Sequence, residues 1–342
     1  MISVGRSADD IPRGLRVLAV ALVGIGLGQC GGRHGRVTSP ISCVDTATYI
    51  LAEDYSPSWS PEGARVAFVH VSDAAVYIGD TLGTAPQLLV AGGQAPGLPP
   101  TELAWSPAAD QLAMRYLGDI WTADVRTGSL HQWTHVASQF PHWPAWSPDG
   151  RYIAYSIISK PSGAPDSSWG LHVIDTVDGS DRAVLHAGAS TQSSSRVAWS
   201  AALGGLVVSV PLTEQIDGVS QVVSDLFFVT LDGMLYQRMT TFHGKVGDPQ
   251  LSPDGRQVLF DLVPRPCPNL ESARETWVMG LDGSGVRKWS TNLADPTVTR
   301  SYPFEIARLS GRCVSVGRDS TGTRGVLIIQ NLDGGGRRQL LP

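Results

Sequence analysis

The stretch PAWSPDGRYIAYS, Pro144 to Ser156, decides the fold. A short run ending in Trp146 meets Ser147-Pro148-Asp149-Gly150, four turn formers. In such turns proline presets φ, aspartate bonds its own backbone and glycine supplies positive φ cheaply. Behind the turn, Tyr152-Ile153-Ala154-Tyr155 reads as a second β-rich run. Working outward, the unit recurs as PSWSPEGARVAFV from Pro57, LAWSPAADQLAMRY from Leu103 and VAWSAALGGLVVSV from Val197. Two degenerate copies, PQLSPDGRQVLFDL from Pro249 and FEIARLSGRCVSVG from Phe304, place Leu251 and Ala307 where the others have Trp. The anchors Trp59, Trp105, Trp146, Trp199, Leu251 and Ala307 are 46, 41, 53, 52 and 56 residues apart. That is a blade-sized period.

Each anchor is followed by a second strand and then a third, such as Asp119-Ile120-Trp121-Thr122-Ala123 or Leu226-Phe227-Phe228-Val229. A Gly turn closes the third, as in Asp178-Gly179, Asp232-Gly233 and Asp282-Gly283, and a fourth follows, as in Gln87-Leu88-Leu89-Val90. Four short antiparallel strands per period predict an all-β, six-bladed β-propeller over residues 53–342, each blade burying its faces against its neighbours. Composition agrees. Hydrophobic residues make up 42% and charged residues 17% of the 342, with 38 Gly and 23 Pro, too apolar for disorder and too rich in turn formers for a helical protein. The net charge of −5 leaves no basic excess for nucleic-acid phosphates, so nucleic acid is not an expected partner.

The repeats resemble the TolB-type propeller family, whose hallmark is a W-S-P-D-G turn followed by an I-A-F/Y strand. Trp146-Ser147-Pro148-Asp149-Gly150 with Ile153-Ala154-Tyr155 matches it throughout. The resemblance spans roughly residues 53 to 342 and implies a stand-alone propeller without the family's N-terminal α/β domain. Related propellers gate prolyl-oligopeptidase-like enzymes, but no G-x-S-x-G nucleophile elbow occurs in this sequence.

Residues 1–29 read as a secretory signal. Arg6, Arg13 and Arg16 precede an apolar run from Val17 to Leu27 that is shorter than the roughly 20 residues of a spanning helix. Leu27-Gly28-Gln29-Cys30 resembles a lipobox, with Gln29 where that motif has a small residue. Cys30 is therefore a candidate lipidation site, with ordinary signal cleavage as the alternative. The expected location is the periplasm or a lipid-anchored place on the envelope membrane, with contact to membrane only through that lipid. Residues 30–52 form a linker in which Ala47 to Leu51 is a candidate closing strand.

Loop length separates the two faces of the expected disc. Turns after first and third strands are short, whereas the long connections, among them Ser159 to Ser168, Pro211 to Ser224 and Val263 to Glu275, share the other face. Function tends to sit on long loops carried by a rigid scaffold. The residues just before each innermost strand, Asp54, Tyr55, His142, Arg196, Asp248 and Tyr302, are expected to ring the channel mouth there. That mix of aromatic groups and both charge signs suits a protein or peptide partner.

No metal site or cofactor is expected. His131 and His135 lie four apart, but on a strand and loop rather than a helix, and the Asp-Gly turns lack the clustered oxygens calcium needs. The anchor Trp residues are read as packing between blades, leaving Trp133, Trp143 and Trp169 for exposed contact. Cys43 and Cys313 are the preferred disulfide pair, because Cys43 precedes the first blade and so falls beside the sixth where the ring closes. The leading expectation is a monomeric, non-enzymatic envelope protein that binds a protein or peptide through its long-loop face. The alternatives are a propeller enzyme, a carbohydrate lyase or a hydrolase, and a small-ligand sensor using the same mouth.

Overall fold

In the computed structural model, contacts divide the chain into residues 1–42 and 43–342. The description covers residues 50–51, 54–82, 84–92, 99–135, 139–159, 168–189, 196–234, 236–264, 274–289, 298–299, 305–306, 312–318, 320–321, 324–331 and 336–340. The signal segment, Cys30 and Cys43 lie outside it. Among the described residues all regular structure is β, and no helix is long and apolar enough to cross a membrane.

Two residues, β1 (Ile50–Leu51), precede the first sheet. That sheet is an antiparallel meander of β2 (Asp54–Trp59), β3 (Arg65–His70), β4 (Ala75–Asp80) and β5 (Gln87–Val90). The second holds β6 (Thr101–Trp105), β7 (Gln111–Tyr116), β8 (Asp119–Asp124) and β9 (Leu130–Gln132). The third holds β10 (Gln139–Trp146), β11 (Tyr152–Ser159), β12 (Ser168–Asp175) and β13 (Asp181–Ala189). Next come two such meanders, β14 (Val197–Ser200), β15 (Gly205–Ile216), β16 (Val219–Thr230) and β17 (Tyr236–Arg238), then β18 (Lys245–Leu251), β19 (Gln257–Val263), β20 (Glu275–Gly280) and β21 (Arg287–Lys288). A parallel pairing of Ser224 with Lys245 joins them into one eight-stranded sheet. After β22 (Val298–Thr299), the last sheet is β23 (Glu305–Ile306), β24 (Arg312–Arg318), β25 (Gly325–Asn331) and β26 (Arg338–Gln339). The candidate closing strand is β1, and it pairs in parallel with β22, ahead of the last sheet rather than within it.

Because successive side chains on a strand point to opposite faces, each meander feeds two cores. On β3, Ala67 and Val69 pack toward Trp105, Leu112 and Met114 of the second sheet. Val66 and Phe68, one residue out of phase, pack with Val314, Leu327 and Ile329 of the last sheet. Further cores join Ile120 to Trp146 and Ile153, Val173 to Trp199 and Leu206, and Val207 to Val258 and Phe260. Leu259 and Val278 meet Cys313 in a smaller one. Every meander thus packs on the next, and the last packs on the first. Arg312 Nη2 adds a 2.9 Å bond to the Gly63 carbonyl between the last sheet and the first.

The anchor indoles are fasteners. Trp146 Nε1 donates to the Ala104 carbonyl at 3.1 Å and Trp199 Nε1 to that of Ala145 at 2.8 Å, each reaching back to the preceding innermost strand. Arg65 lies 4.9 Å from the Trp105 ring and Arg312 5.5 Å from that of Trp59, so cations stack on other anchors. The short turns behave as their residues dictate. The Asp149 carboxylate accepts from Ser147 Oγ and the Arg151 amide, while Ser147 Oγ accepts from the Tyr152 amide at 2.8 Å. Gly150 takes φ 73°. The Ser147 hydroxyl and the Arg151 amide hold the Asp149 carboxyl below its usual range, so turn closure accounts for this acidic residue.

Two expectations are corrected. Trp169 is not an exposed contact, since it is 2% exposed and packed with Leu171 and Val197 between sheets. Pro211 to Ser224 is not a long loop. It is the distal part of the β15–β16 hairpin, closed by Asp217-Gly218.

Candidate functional site

The innermost strands owe their shape to one repeated irregularity. In β2, β6, β10 and β18 the pairing with the next strand slips between Tyr55 and Ser58, Thr101 and Ala104, His142 and Ala145, and Gly247 and Gln250. Each slip is a bulge, and each holds a non-glycine residue in the left-handed region: Ser56 (φ 52°), Glu102 (56°), Trp143 (55°) and Asp248 (53°). All four lie three positions before their anchor, where Arg196 occupies the fourth meander. A left-handed non-glycine residue costs on the order of 1 kcal/mol, and such outliers gather where they re-aim side chains.

Glu102, Trp143 and Arg196 of this set line a cavity of about 470 Å³. The four anchor indoles, Pro61, Pro107, Pro148 and Pro253 complete much of its wall, so it runs along the innermost strands to their Ser-Pro turns. Glu102 is buried and joins two sheets. Its Oε1 lies 2.9 Å from His142 Nδ1, and its Oε2 accepts from the Trp143 amide at 2.6 Å. The Arg196 guanidinium sits 5.1 Å from the centre of the Trp143 ring. A carboxylate, an imidazole, an indole and a guanidinium from three successive meanders therefore form one continuous constellation. It can orient an imidazole proton and offer a cation to an anionic ligand.

Of the six expected mouth residues, His142 and Arg196 join this constellation, Arg196 directly on the cavity wall. Asp248 shares the bulge position but is tied to Arg274 Nη1 at 3.4 Å, which also reaches Asp261 at 3.3 Å. Burial pushes the Asp261 carboxyl up to about 6, against the pull of Arg274. Tyr55 is corrected. It is 2% exposed, because its place just before the bulge turns the ring into the core with Leu103 and Trp105. The Asp54 side chain and Tyr302 lie outside the described residues. Glu102 is a site residue that the sequence reading does not single out, and Trp143, expected as an exposed contact, lines the cavity. The available signal was a constant offset from the anchor, which puts Ser56, Glu102, Trp143, Arg196 and Asp248 in register.

Cys313 is a free, fully buried thiol whose Sγ donates to the Gln330 carbonyl at 3.5 Å, and burial pushes it up to about 12. The expected bridge to Cys43 falls on a residue outside those described. The Cys313 side chain fills the core beside Leu259 and Val278. His131 stacks edge-on against Trp133, ring centres 4.4 Å apart. Among the described residues no group of three or more His, Cys, Asp and Glu is arranged to hold a metal ion.

No protein-family model matches the chain. A curated protein named uncharacterized peptidase YuxL, from Bacillus subtilis, is 27% identical over 173 residues, which is 42% of this chain and 25% of that protein. The chain thus matches only a quarter of that relative's length. An oligogalacturonate lyase in complex with manganese superposes with TM-score 0.57 at 12% identity, covering 86% of this chain and 77% of the lyase. TolB from Acinetobacter baumannii superposes with TM-score 0.57 at 18% identity, covering 80% and 63% of the two chains. The TolB-like propeller fold expected from the W-S-P-D-G repeats is therefore the fold observed. The expectation that the protein is not an enzyme is corrected by the same matches, since the sequence relative is named a peptidase and one fold neighbour a lyase.

Proposed function

We propose that residues 53–342 close into a six-bladed propeller whose axial cavity binds a carboxylate-bearing ligand, an acidic sugar or the end of a peptide, and acts on it by acid–base chemistry. The observation that carries this reading is the convergence of Glu102, Trp143 and Arg196 on one cavity from three neighbouring meanders. Six successive cores, with the last meander packed on the first, support the closed ring.

In this reading Arg196 receives the ligand carboxylate, since guanidinium pairs with carboxylate through parallel charge-assisted bonds. Trp143 presents a flat apolar face beside it. Glu102 accepts from His142 Nδ1, which sets the tautomer and leaves the second ring nitrogen as the acid or base of the reaction. Neutralising a carboxylate while removing the proton beside it is the requirement of an eliminating lyase, and the same couple activates water in a hydrolase. The peptidase and lyase matches favour such action over passive capture. Export through residues 1–29 belongs to the same proposal and places the cavity in the envelope.

Thermal-shift titration with oligogalacturonates and with acidic peptides tests the site. One of these classes should raise the melting temperature, and Arg196→Gln should weaken its binding at least tenfold. His142→Gln should keep binding and lose turnover, read for a lyase as near-ultraviolet absorbance of the unsaturated product. Binding unaffected by Arg196→Gln, or no shift with either class, sinks the reading.

A further inference from the structure

The β15–β16 hairpin outgrows the meander that carries it. β14 pairs with β15 only as far as Val208, and β17 pairs with β16 only over Phe227 to Val229. The last supported residue on the outer side is Ser224, whose amide donates to the Gly244 carbonyl at 3.0 Å and which pairs with Lys245. Beyond it, Leu212–Ile216 and Val219–Val223 continue as a ribbon two strands wide for about 17 Å.

The ribbon's tip fixes which backbone groups point outward. Asp217 (φ 53°) and Gly218 (φ 77°) form a turn with two left-handed residues, the type that closes on a hydrogen-bonded pair, here Ile216 with Val219. Alternation then turns the amides and carbonyls of Ser220 and Val222 off the β16 edge, and those of Thr213 and Gln215 off the β15 edge. The same alternation points the Ser224 amide outward, where it meets Gly244, and puts Pro211, which has no amide, on the opposite edge. Among the described residues nothing pairs with Ser220 or Val222, and Val219 and Val222 are 57% and 40% exposed.

Soluble proteins usually blunt a free edge with lysine, proline or another charge. The β15 edge carries Pro211 and Glu214. The β16 edge, Val219-Ser220-Gln221-Val222-Val223, carries none of these and continues a line already used for main-chain pairing at Ser224.

We infer that this β16 edge is a self-pairing surface through which two copies of the chain associate. With a two-fold axis at Gln221, Ser220 of each copy lies opposite Val222 of the other, and four outward amides find four carbonyls. The two Gln221 side chains meet as neutral amides. The β15 edge is less suited to the same pairing, since Pro211 has no amide to offer and the Glu214 carboxylate is already committed to Arg238 and His243. The contact is far smaller than the roughly 1,200 Å² of a stable interface, so the dimer is weak and reversible, unlike the monomer expected from sequence.

Sedimentation equilibrium of the full chain between about 1 μM and about 1 mM tests this. Wild-type mass should rise toward twice the monomer value. Val222→Pro, which removes one outward amide without touching the hairpin's own bonds, should remain monomeric with an unchanged melting temperature. Thr213→Pro on the other edge should still dimerise. A wild type that stays monomeric, a dimer that survives Val222→Pro, or one lost in Thr213→Pro overturns the inference. Should Val222→Pro unfold, amide exchange on the wild type decides. The Ser220 and Val222 amides should slow only at high protein concentration, and concentration-independent exchange overturns the proposal.

Discussion

The second and fourth meanders solve one problem with the same parts and different charges. At the start of β8, Asp119 accepts from Thr134 Oγ1 at 2.7 Å and Gln132 Nε2 at 3.0 Å, and Thr134 Oγ1 in turn accepts the Ile120 amide at 2.9 Å. On β16, Asp225 accepts from Thr240 Oγ1 at 2.7 Å and from Arg238 Nη2, and Thr240 Oγ1 accepts the Leu226 amide at 2.9 Å. The spacings are identical, 13 residues to the long donor and 15 to the threonine. In both, the clamp ties the end of the outer strand back onto the third. Only the fourth meander substitutes Arg for Gln and adds Glu214, which Arg238 reaches at 2.6 Å and His243 at 2.7 Å. Glu214 lies midway along the overgrown hairpin, opposite Gln221, so the added charges tie the ribbon to the outer strand and to the connection toward β18. A repeat position thus keeps its acceptor and its hydroxyl while the third member changes with the local load.

The largest break in this comparison comes from the aspartates. Asp225 is fully buried and paired with a cation, so Asp225→Ala should cost about 3 kcal/mol by leaving Arg238 and Thr240 short of an acceptor. Asp119→Ala removes the acceptor of Thr134 and Gln132, both uncharged donors, and should cost about 1–2 kcal/mol. Urea unfolding of the pair reads the difference, and equal losses would mean that the added charges do not deepen the clamp.

The threonines should behave alike. Thr134→Val and Thr240→Val each remove one donor and one acceptor in the same geometry and should each cost about 1 kcal/mol in the same unfolding measurement. Unequal losses would show that the two clamps are not equivalent.

The smallest effect concerns pH. His243 donates to Glu214, outweighing its partial burial, and Arg238 adds to this, so the folded carboxyl sits below its ordinary 4.5. A depressed folded value stabilises the protein above the ordinary carboxylate range, and the contribution fades as pH falls through the folded value. Glu214→Gln should therefore be most destabilising near neutrality, its difference from wild type shrinking toward acid. The second meander has no counterpart to Glu214, so Gln132→Ala should show no such trend. A pH-independent Glu214→Gln penalty would remove the electrostatic role of His243.

Much of this molecule is legible in the repeats. The Trp-Ser-Pro-Asp-Gly stretch predicts a hairpin at each copy, and β10–β11 with its Asp149 turn is that hairpin. Of the degenerate copies, Leu251 ends β18 and the run from Arg312 forms β24, while the anchor Ala307 lies outside the described residues. The site was only half legible. Counting back along an ideal strand mixes positions three, four and five before the anchor, which groups Tyr55 with Arg196. A bulge adds a residue to one strand, and every side chain before it changes face. Pro211 to Ser224 failed for a related reason. Its one proline, Pro211, and its polar residues resemble a loop, while the pairing that makes it a ribbon runs between Leu212–Ile216 and Val219–Val223 and leaves no periodic apolar face to read.

By itself the sequence determined the β class, the repeat, the turns and the packing role of the anchors. Those follow from local chemistry, the φ preferences of Gly and Pro, the Asp side chain bonding its own backbone, and apolar runs that must be buried. The tertiary structure alone decided that Glu102 meets His142, that Arg196 lies over Trp143, that Cys313 is sealed in a core, and that β16 ends in an open edge. Each depends on the bulge register or on how far one meander's strands outrun the next. These are contacts between residues some 40 or more positions apart at Glu102 and Arg196, where short-range pattern carries no information about which side chain faces which.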